Sequence, residues 1–131
     1  MNINIINYKN ISGAYIEYES KGKGKEYRGF NDLLIYDGEY LNGRRNGKGT
    51  EYYGKNKLYE GEYLNGKRNG KGKEYDSFNN KLIYECECFI GKKNGKGKEF
   101  YSNGALKFDG EYFNNREMLW TKYDKEGKLI Y

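Results

Sequence analysis

Residues 36–52 read YDGEYLNGRRNGKGTEY, and residues 59–75 read YEGEYLNGKRNGKGKEY. The two stretches are nearly identical and begin 23 positions apart. Self-similarity at a fixed period is the signature of a repeat architecture, in which each copy is one supersecondary unit. The fold of the chain therefore depends on how often this unit recurs and on the structure it encodes.

Two markers define the unit along the chain. The first is Y-x-G-x-Y, with its glycine position at Gly13, Gly38, Gly61, Cys86 and Gly110 and its second aromatic position two residues later. The second is G-x-G, at Gly22/Gly24, Gly47/Gly49, Gly70/Gly72 and Gly95/Gly97. These markers predict one repeat domain with units near 11–35, 36–58, 59–83, 84–107 and 108–131, preceded by a lead-in strand in residues 1–10. The last unit lacks G-x-G, which is typical of a terminal cap.

Each unit alternates with a period of two, which is the pattern of a β-strand. Tyr59, Gly61 and Tyr63 share one face, and Glu60 and Glu62 share the other. The segment NGKRNG then turns the chain, and GKGKEY returns as a second strand. The sequence therefore predicts an all-β repeat protein, with tandem β-hairpins forming one elongated, twisted antiparallel sheet.

The charges suggest a register within each hairpin. We expect Gly61 to face Gly72, which pairs Glu60 with Lys73 on the other face. The same register places Tyr63 opposite Gly70 and pairs Glu62–Lys71, Glu85–Lys98 and Glu87–Lys96. Opposite charges across strands are mildly stabilising. A tyrosine ring lying over a glycine would cover backbone that has no side chain of its own.

The order Y-x-G-x-Y followed by N-G-x-x-N-G-x-G, at a spacing of 23–25 residues, resembles the MORN repeat family over about residues 11–115. The family usually has Trp where this chain has Tyr40 and Tyr63. It commonly has an aromatic residue where this chain has Glu51, Glu74 and Glu99. The segments GKGKEY and NGALKFDGEY are more similar to the variant MORN repeats of bacterial and protist proteins.

The resemblance implies a non-enzymatic scaffold that holds a protein partner or self-associates. Binding to phosphoinositide membranes is proposed for the family, and variant repeats also occur in antitoxin-like proteins. Because a fold does not fix a function, each of these roles needs residues of its own in this chain.

Composition argues against several functional classes. The 131-residue chain has no histidine, so a nucleophile–histidine arrangement is impossible, and its carboxylates recur with the repeat as solvated strand residues do. We therefore expect no enzyme activity and no cofactor. A formal net charge of +5 is weaker than a nucleic-acid binder usually shows, so no nucleic acid is expected as partner.

The two cysteines, Cys86 and Cys88, replace the G-x-Y of the fourth unit. Both point to one face, but zinc requires four ligands, so we expect two small buried residues and no metal. Two cysteines make no disulfide framework, and residues 1–10 do not have the pattern of a signal peptide. These features predict a cytoplasmic location, with peripheral membrane contact as the alternative.

Basic pairs recur where each hairpin turns. Adjacent hairpins lie two strand spacings apart, so the pairs are expected every ~9–10 Å along one edge. Such a ladder would attract an anionic membrane or an acidic partner, although a solvated edge that blocks aggregation has the same composition. The ladder consists of Arg44, Arg45, Lys67, Arg68, Lys92 and Lys93.

An aromatic face is the leading candidate for holding a protein segment. Its members share one strand parity, and nothing in the sequence supplies a second layer to cover them. We expect part of this surface to pack over glycine and the rest to line a groove, with its longest free stretch near Tyr40 and Tyr63. The aromatic residues are Tyr15, Tyr36, Tyr40, Tyr59, Tyr63, Tyr84, Phe108 and Tyr112.

Overall fold

Antiparallel strands build the fold. A computed structural model of the protein describes residues 5–9, 15–19, 22–29 and 32–130. Within them, eleven strands form one sheet, and each strand pairs with its neighbours in the sequence. The strands are β1 Ile5–Lys9, β2 Tyr15–Glu19, β3 Lys23–Tyr27, β4 Leu34–Leu41, β5 Arg44–Tyr53, β6 Asn56–Leu64, β7 Lys67–Tyr75, β8 Leu82–Phe89, β9 Lys92–Phe100, β10 Leu106–Phe113 and β11 Arg116–Lys122. The predicted single antiparallel sheet of tandem hairpins is confirmed.

Two-residue turns close the hairpins. Asn42 and Gly43 have φ of 52° and 74°, and Asn65 and Gly66 have φ of 49° and 86°. Two successive positive φ values are the requirement of a type I′ turn, and Asn-Gly is its preferred sequence. Such a turn brings the flanking residues directly opposite each other, as in the pair Leu64 and Lys67.

The predicted register is confirmed in one half of each hairpin and wrong in the other. Glu60 pairs with Lys73 and Gly61 with Gly72, but Tyr63 pairs with Arg68 because a β-bulge intervenes. Gly70, in the bulge, has φ of 101°, a conformation that favours glycine.

The bulge also redirects the remaining charge pairs. The predicted pair Glu85–Lys98 is present. Glu62–Lys71 and Glu87–Lys96 are not, because Glu62 faces Lys48 and Glu87 faces Lys71 on the strand of the preceding hairpin.

A row of glycines crosses the sheet beneath tyrosine rings. Gly49, Gly61 and Gly72 are consecutive partners across β5, β6 and β7. A Cβ atom on Gly49 would lie 2.1 Å from the Tyr36 hydroxyl, and one on Gly72 would lie 2.1 Å from the Tyr59 hydroxyl. The glycines thus leave room for rings that lie flat on the backbone, as the sequence predicted.

The described residues contain no helix long and apolar enough to cross a membrane.

Candidate functional site

The predicted aromatic groove is a buried core. Tyr36, Tyr40, Tyr59 and Tyr63 are 0–5 % exposed and form one cluster, and Phe108 and Tyr112 are also buried. Tyr84 is half-buried, and the side chain of Tyr15 lies outside the part of the chain whose side chains the structure describes. The exposure predicted for Tyr40 and Tyr63, and for the other four buried rings, is therefore wrong, and that of Tyr15 stays a prediction.

Edge-on ring contacts hold the cluster together. Tyr36 meets Tyr40 and Tyr63 with ring centroids 5.4 and 5.2 Å apart and interplanar angles of 88°. Tyr59 and Tyr63 make the same contact at 5.6 Å. Edge-to-face pairs add about 0.5–1.5 kcal/mol each beyond the area they bury. The rings thus stabilise one another without a second layer of strands.

Glutamates stand where the MORN repeat family commonly has an aromatic residue, and they accept hydrogen bonds from tyrosine hydroxyls. Tyr63 donates to Glu51 at 2.6 Å, and Tyr112 donates to Glu99 at 2.6 Å. Glu26 has the same role in the preceding unit, where it accepts from Tyr40 at 2.5 Å. The departure from the family pattern was the sequence signal for these glutamates, but it did not reveal their role.

Arginines cover the rings and link the glutamates. Arg45 pairs with Glu26 at 2.6 Å and with Glu51 at 3.5 Å, and its guanidinium lies 4.3 Å above the Tyr36 ring. Arg68 pairs with Glu51 at 3.0 Å and lies 4.0 Å above the Tyr59 ring. Alternating glutamate and arginine side chains thus form the outer cover of the core.

The predicted ladder of six edge cations is wrong for half of its members. Arg45, Arg68 and the half-buried Lys93 turn onto the core face, because the two members of each basic pair are consecutive strand residues and point to opposite faces. Lys93 lies 3.1 Å above the Tyr84 ring. The members that stay exposed are Arg44, Lys67 and Lys92.

The electrostatics of Glu51 give a measurable pH dependence. Burial raises the pKa of this carboxyl, but hydrogen bonds from Arg68 and Tyr63 outweigh that effect and hold the pKa below its usual value. A carboxyl whose pKa is lower in the folded state than in the unfolded state stabilises the fold above its unfolded pKa, near 4.3 for glutamate. That contribution is lost as pH falls through the folded value.

Glu51→Gln is expected to lower the free energy of unfolding at neutral pH by about 1.5–3 kcal/mol, the range for hydrogen bonds to charged groups. It is also expected to flatten the dependence of stability on pH below about 4. Urea unfolding at neutral and acid pH measures both effects. Glu111→Gln, at an exposed glutamate, is the matched control. An equal loss in the two variants would contradict the role assigned to Glu51.

A groove of about 1240 Å³ crosses the strands on the face opposite the rings. Its floor is the backbone of the glycine row with Cys86, and Trp120, which is 39 % exposed, lies at its C-terminal end. The concave surface is thus on the lysine and glutamate face, not on the aromatic face as predicted. The sequence marked this face only as polar, which is also the composition of an ordinary solvated surface.

The groove walls are two rows of mainly charged side chains, one on each side of the floor. In the middle of each row the signs alternate from strand to strand, as in the run Glu60, Lys73, Glu85 and Lys98. Neighbouring members are about 4.7–4.9 Å apart, the strand spacing of a sheet. The first wall is Asp37, Thr50, Glu60, Lys73, Glu85, Lys98, Asp109 and Thr121; the second wall is Lys48, Glu62, Lys71, Glu87, Lys96, Glu111 and Leu119.

The hairpin tips form a second exposed surface. Each tip pairs an apolar residue with a cation directly across the turn, as Leu64 pairs with Lys67 and Phe89 with Lys92. The apolar members are 49–59 % exposed. The tip pairs are Leu41/Arg44, Leu64/Lys67, Phe89/Lys92 and Phe113/Arg116. The apolar half of this surface was not predicted.

A comparison with protein families identifies the type of repeat in the chain. The MORN repeat model matches residues 36–57, 59–77 and 90–106. These three segments are MORN repeats. As a family, MORN repeats are non-enzymatic modules that generally mediate interactions with proteins or membranes. A comparison with curated proteins finds no match.

Proposed function

We propose that these MORN repeats hold a segment of a partner protein in the groove on the lysine and glutamate face. The observation that carries this proposal is the groove itself, which extends from β4 to β11. The partner site moves away from the predicted aromatic face because the rings there have almost no exposed surface.

The chemistry of the groove indicates what kind of segment it would take. The glycine floor lets a bound chain approach the backbone closely, and Leu119 and Trp120 offer apolar contact at one end. The walls present both charges at short intervals. A segment with charges of alternating sign would therefore find opposite charges on both sides, which favours specificity more than affinity.

Neutralisation of a toxin protein, which the variant repeats suggest, would be one form of this binding. Self-association through the same groove would be another. A cytoplasmic location stays a prediction.

The test compares two variants of equal net charge. Changing the exposed wall lysines Lys71, Lys73, Lys96 and Lys98 to glutamine is expected to weaken partner binding by about tenfold or more, at least ~1.4 kcal/mol. The control changes four exposed lysines outside the groove, namely Lys55, Lys81, Lys125 and Lys128, to glutamine. Co-purification from the native cell identifies the partner, and calorimetry with the purified partner measures the affinities. Equal binding by the two variants would refute the groove as the site.

A membrane role is the second candidate, and the hairpin tips favour it. An apolar side chain beside a cation at each tip suits the boundary between acyl chains and anionic headgroups. Because only Arg44, Lys67 and Lys92 of the predicted ladder remain exposed, the proposed lipid surface is these cations together with Leu41, Leu64 and Phe89.

Sedimentation with anionic vesicles tests the lipid role. Changing Arg44, Lys67 and Lys92 to glutamine is expected to reduce binding by about 1 kcal/mol per cation, and high salt is expected to weaken wild-type binding. The wall-lysine variant is the control and should bind vesicles nearly as wild type does. If wild type does not sediment with anionic vesicles, or the tip variant binds equally well, this role is excluded.

A further inference from the structure

The fourth unit differs from the others at the two positions that build the core. Cys86 and Cys88 stand where the third unit has Gly61 and Tyr63, and they lie between the family-matched segments 59–77 and 90–106. Both side chains are on the core face of β8, 7 % and 8 % exposed, with their Sγ atoms 3.9 Å apart. They are free thiols.

Aromatic rings lie over both glycines that pair with Cys86. Cys86 pairs with Gly72 on one side and with Gly97 on the other. The Tyr59 ring lies over Gly72, and the Tyr112 ring lies over Gly97. Among the described residues, the Tyr59 hydroxyl is a buried side-chain oxygen that has no hydrogen-bond partner. The cysteine pair thus has a tyrosine ring on each neighbouring strand, and one of these rings carries an unused donor.

Two cations flank the same place. Arg68 lies 4.0 Å above the Tyr59 ring, and Lys93, which pairs with Cys88 across β8 and β9, lies 3.1 Å above the Tyr84 ring. An anionic ligand set in this position would therefore have positive charge on both sides.

We propose that Cys86 and Cys88 bind one soft monovalent metal ion, of the Cu(I) class, as a two-coordinate dithiolate. On binding, the two thiols release two protons to solvent and each sulfur forms one bond to the ion. The complex of two thiolates and one monovalent cation carries a net charge of −1, which Arg68 and Lys93 are placed to balance. Soft thiolate ligands select soft metals such as Cu(I).

The sulfur separation is close to what this ligation needs. With metal–thiolate bonds of about 2.3 Å, as in zinc sites, two sulfurs on opposite sides of one ion lie about 4.6 Å apart. The observed separation is 3.9 Å, so a linear two-coordinate ion requires the two sulfurs to move apart by about 0.7 Å.

Other chemistry fits the pair less well. Zinc requires four donors, and the described residues hold no group of three or more His, Cys, Asp or Glu side chains arranged for a metal. That requirement led the sequence prediction to exclude a metal, but it does not apply to an ion that two thiolates satisfy. A disulfide is disfavoured because residues i and i+2 of a strand are about 6.6–6.8 Å apart, at the upper limit for bridged Cα atoms.

Anaerobic titration of the reduced chain with Cu(I), supplied from a competing Cu(I) chelator, tests the proposal. We expect one ion per chain, a thiolate-to-metal absorption band and an increase in melting temperature, because binding to the folded state stabilises it. Cys86→Ser and Cys88→Ser should each lower the affinity by about 100-fold or more, since second-shell changes alone cost about 10–100-fold.

The matched control restores the repeat pattern with Cys86→Gly and Cys88→Tyr, as in the third unit. This double variant should fold and should take no Cu(I) from the chelator. If it competes as well as wild type, the ion binds elsewhere and the proposal is wrong. The proposal also fails if wild type takes no Cu(I), if two chains share each ion, or if both single serine variants retain wild-type affinity.

Discussion

Replacing Tyr40 and Tyr63 together with serine is expected to unfold the protein. The two rings are 5 % and 4 % exposed, and both pack edge-on against Tyr36. Truncation of a large buried side chain costs about 3–5 kcal/mol, so two truncations approach the total stability of about 5–15 kcal/mol that a domain has. The loss of both tyrosine hydroxyls also removes one hydrogen bond each from Glu26 and Glu51, which keep their arginine donors Arg45 and Arg68.

Circular dichroism and urea unfolding measure this effect. The control is the double variant Tyr53→Ser and Phe78→Ser, at rings that are 54 % and 90 % exposed, and we expect it to unfold nearly as wild type does. Changing Tyr40 and Tyr63 to phenylalanine should give an intermediate loss, because the rings remain and only the hydrogen bonds disappear. If the free energy of unfolding of the serine variant lies within about 1 kcal/mol of the wild-type value, the rings are not part of the core. The aromatic groove would then be restored as the binding surface.

The sequence predicted the sheet because local and tertiary signals agree in it. Each Asn-Gly turn fixes a hairpin, and the period of two fixes which residues share a face. The pairing of Gly61 with Gly72 followed from the same pattern. What the pattern does not contain is the bulge at Gly70, which shifts the register by two residues, so that Tyr63 pairs with Arg68 and not with Gly70.

The alternation of side chains along a strand explains the errors on the basic pairs. Adjacent residues of a strand point to opposite faces of the sheet. Arg68 therefore lies on the core face and Lys67 on the groove face, although the sequence shows two adjacent cations at a turn. The same arginines explain why the rings are buried in a single sheet. Their aliphatic stems and guanidinium groups cover the rings, as a second layer would do in a sandwich.

The groove required the structure for a different reason. Composition gave the charged residues of this face, but sheet curvature decides which face is concave, and curvature depends on how rings and glycines pack across strands. In the pair Tyr59 and Gly72, one residue supplies the ring and the other the space for it. This complementarity can be tested by adding a single methyl group to one glycine.

Gly72→Ala is expected to destabilise the protein by about 1–3 kcal/mol or more, the cost of overpacking a filled core. The added Cβ would lie 2.1 Å from the Tyr59 hydroxyl and 2.4 Å from Cζ of the same ring. The ring has little room to retreat, because Tyr59 is 1 % exposed and lies under Arg68. Lys71→Ala, one residue away on the groove face, should change stability by no more than about 0.5 kcal/mol, as surface substitutions do.

A double-mutant cycle shows whether the ring causes the loss. In a Tyr59→Leu background, the shorter side chain leaves the space over Gly72 open. Gly72→Ala should then be neutral or stabilising by up to about 0.5–1 kcal/mol, because alanine loses less backbone entropy than glycine in a strand. Urea unfolding of the four proteins gives the coupling energy. The same loss with and without the Tyr59 ring would mean that the alanine strains the backbone itself. The glycine row would then serve strand pairing, and packing of rings on glycine would not account for the curvature of the sheet.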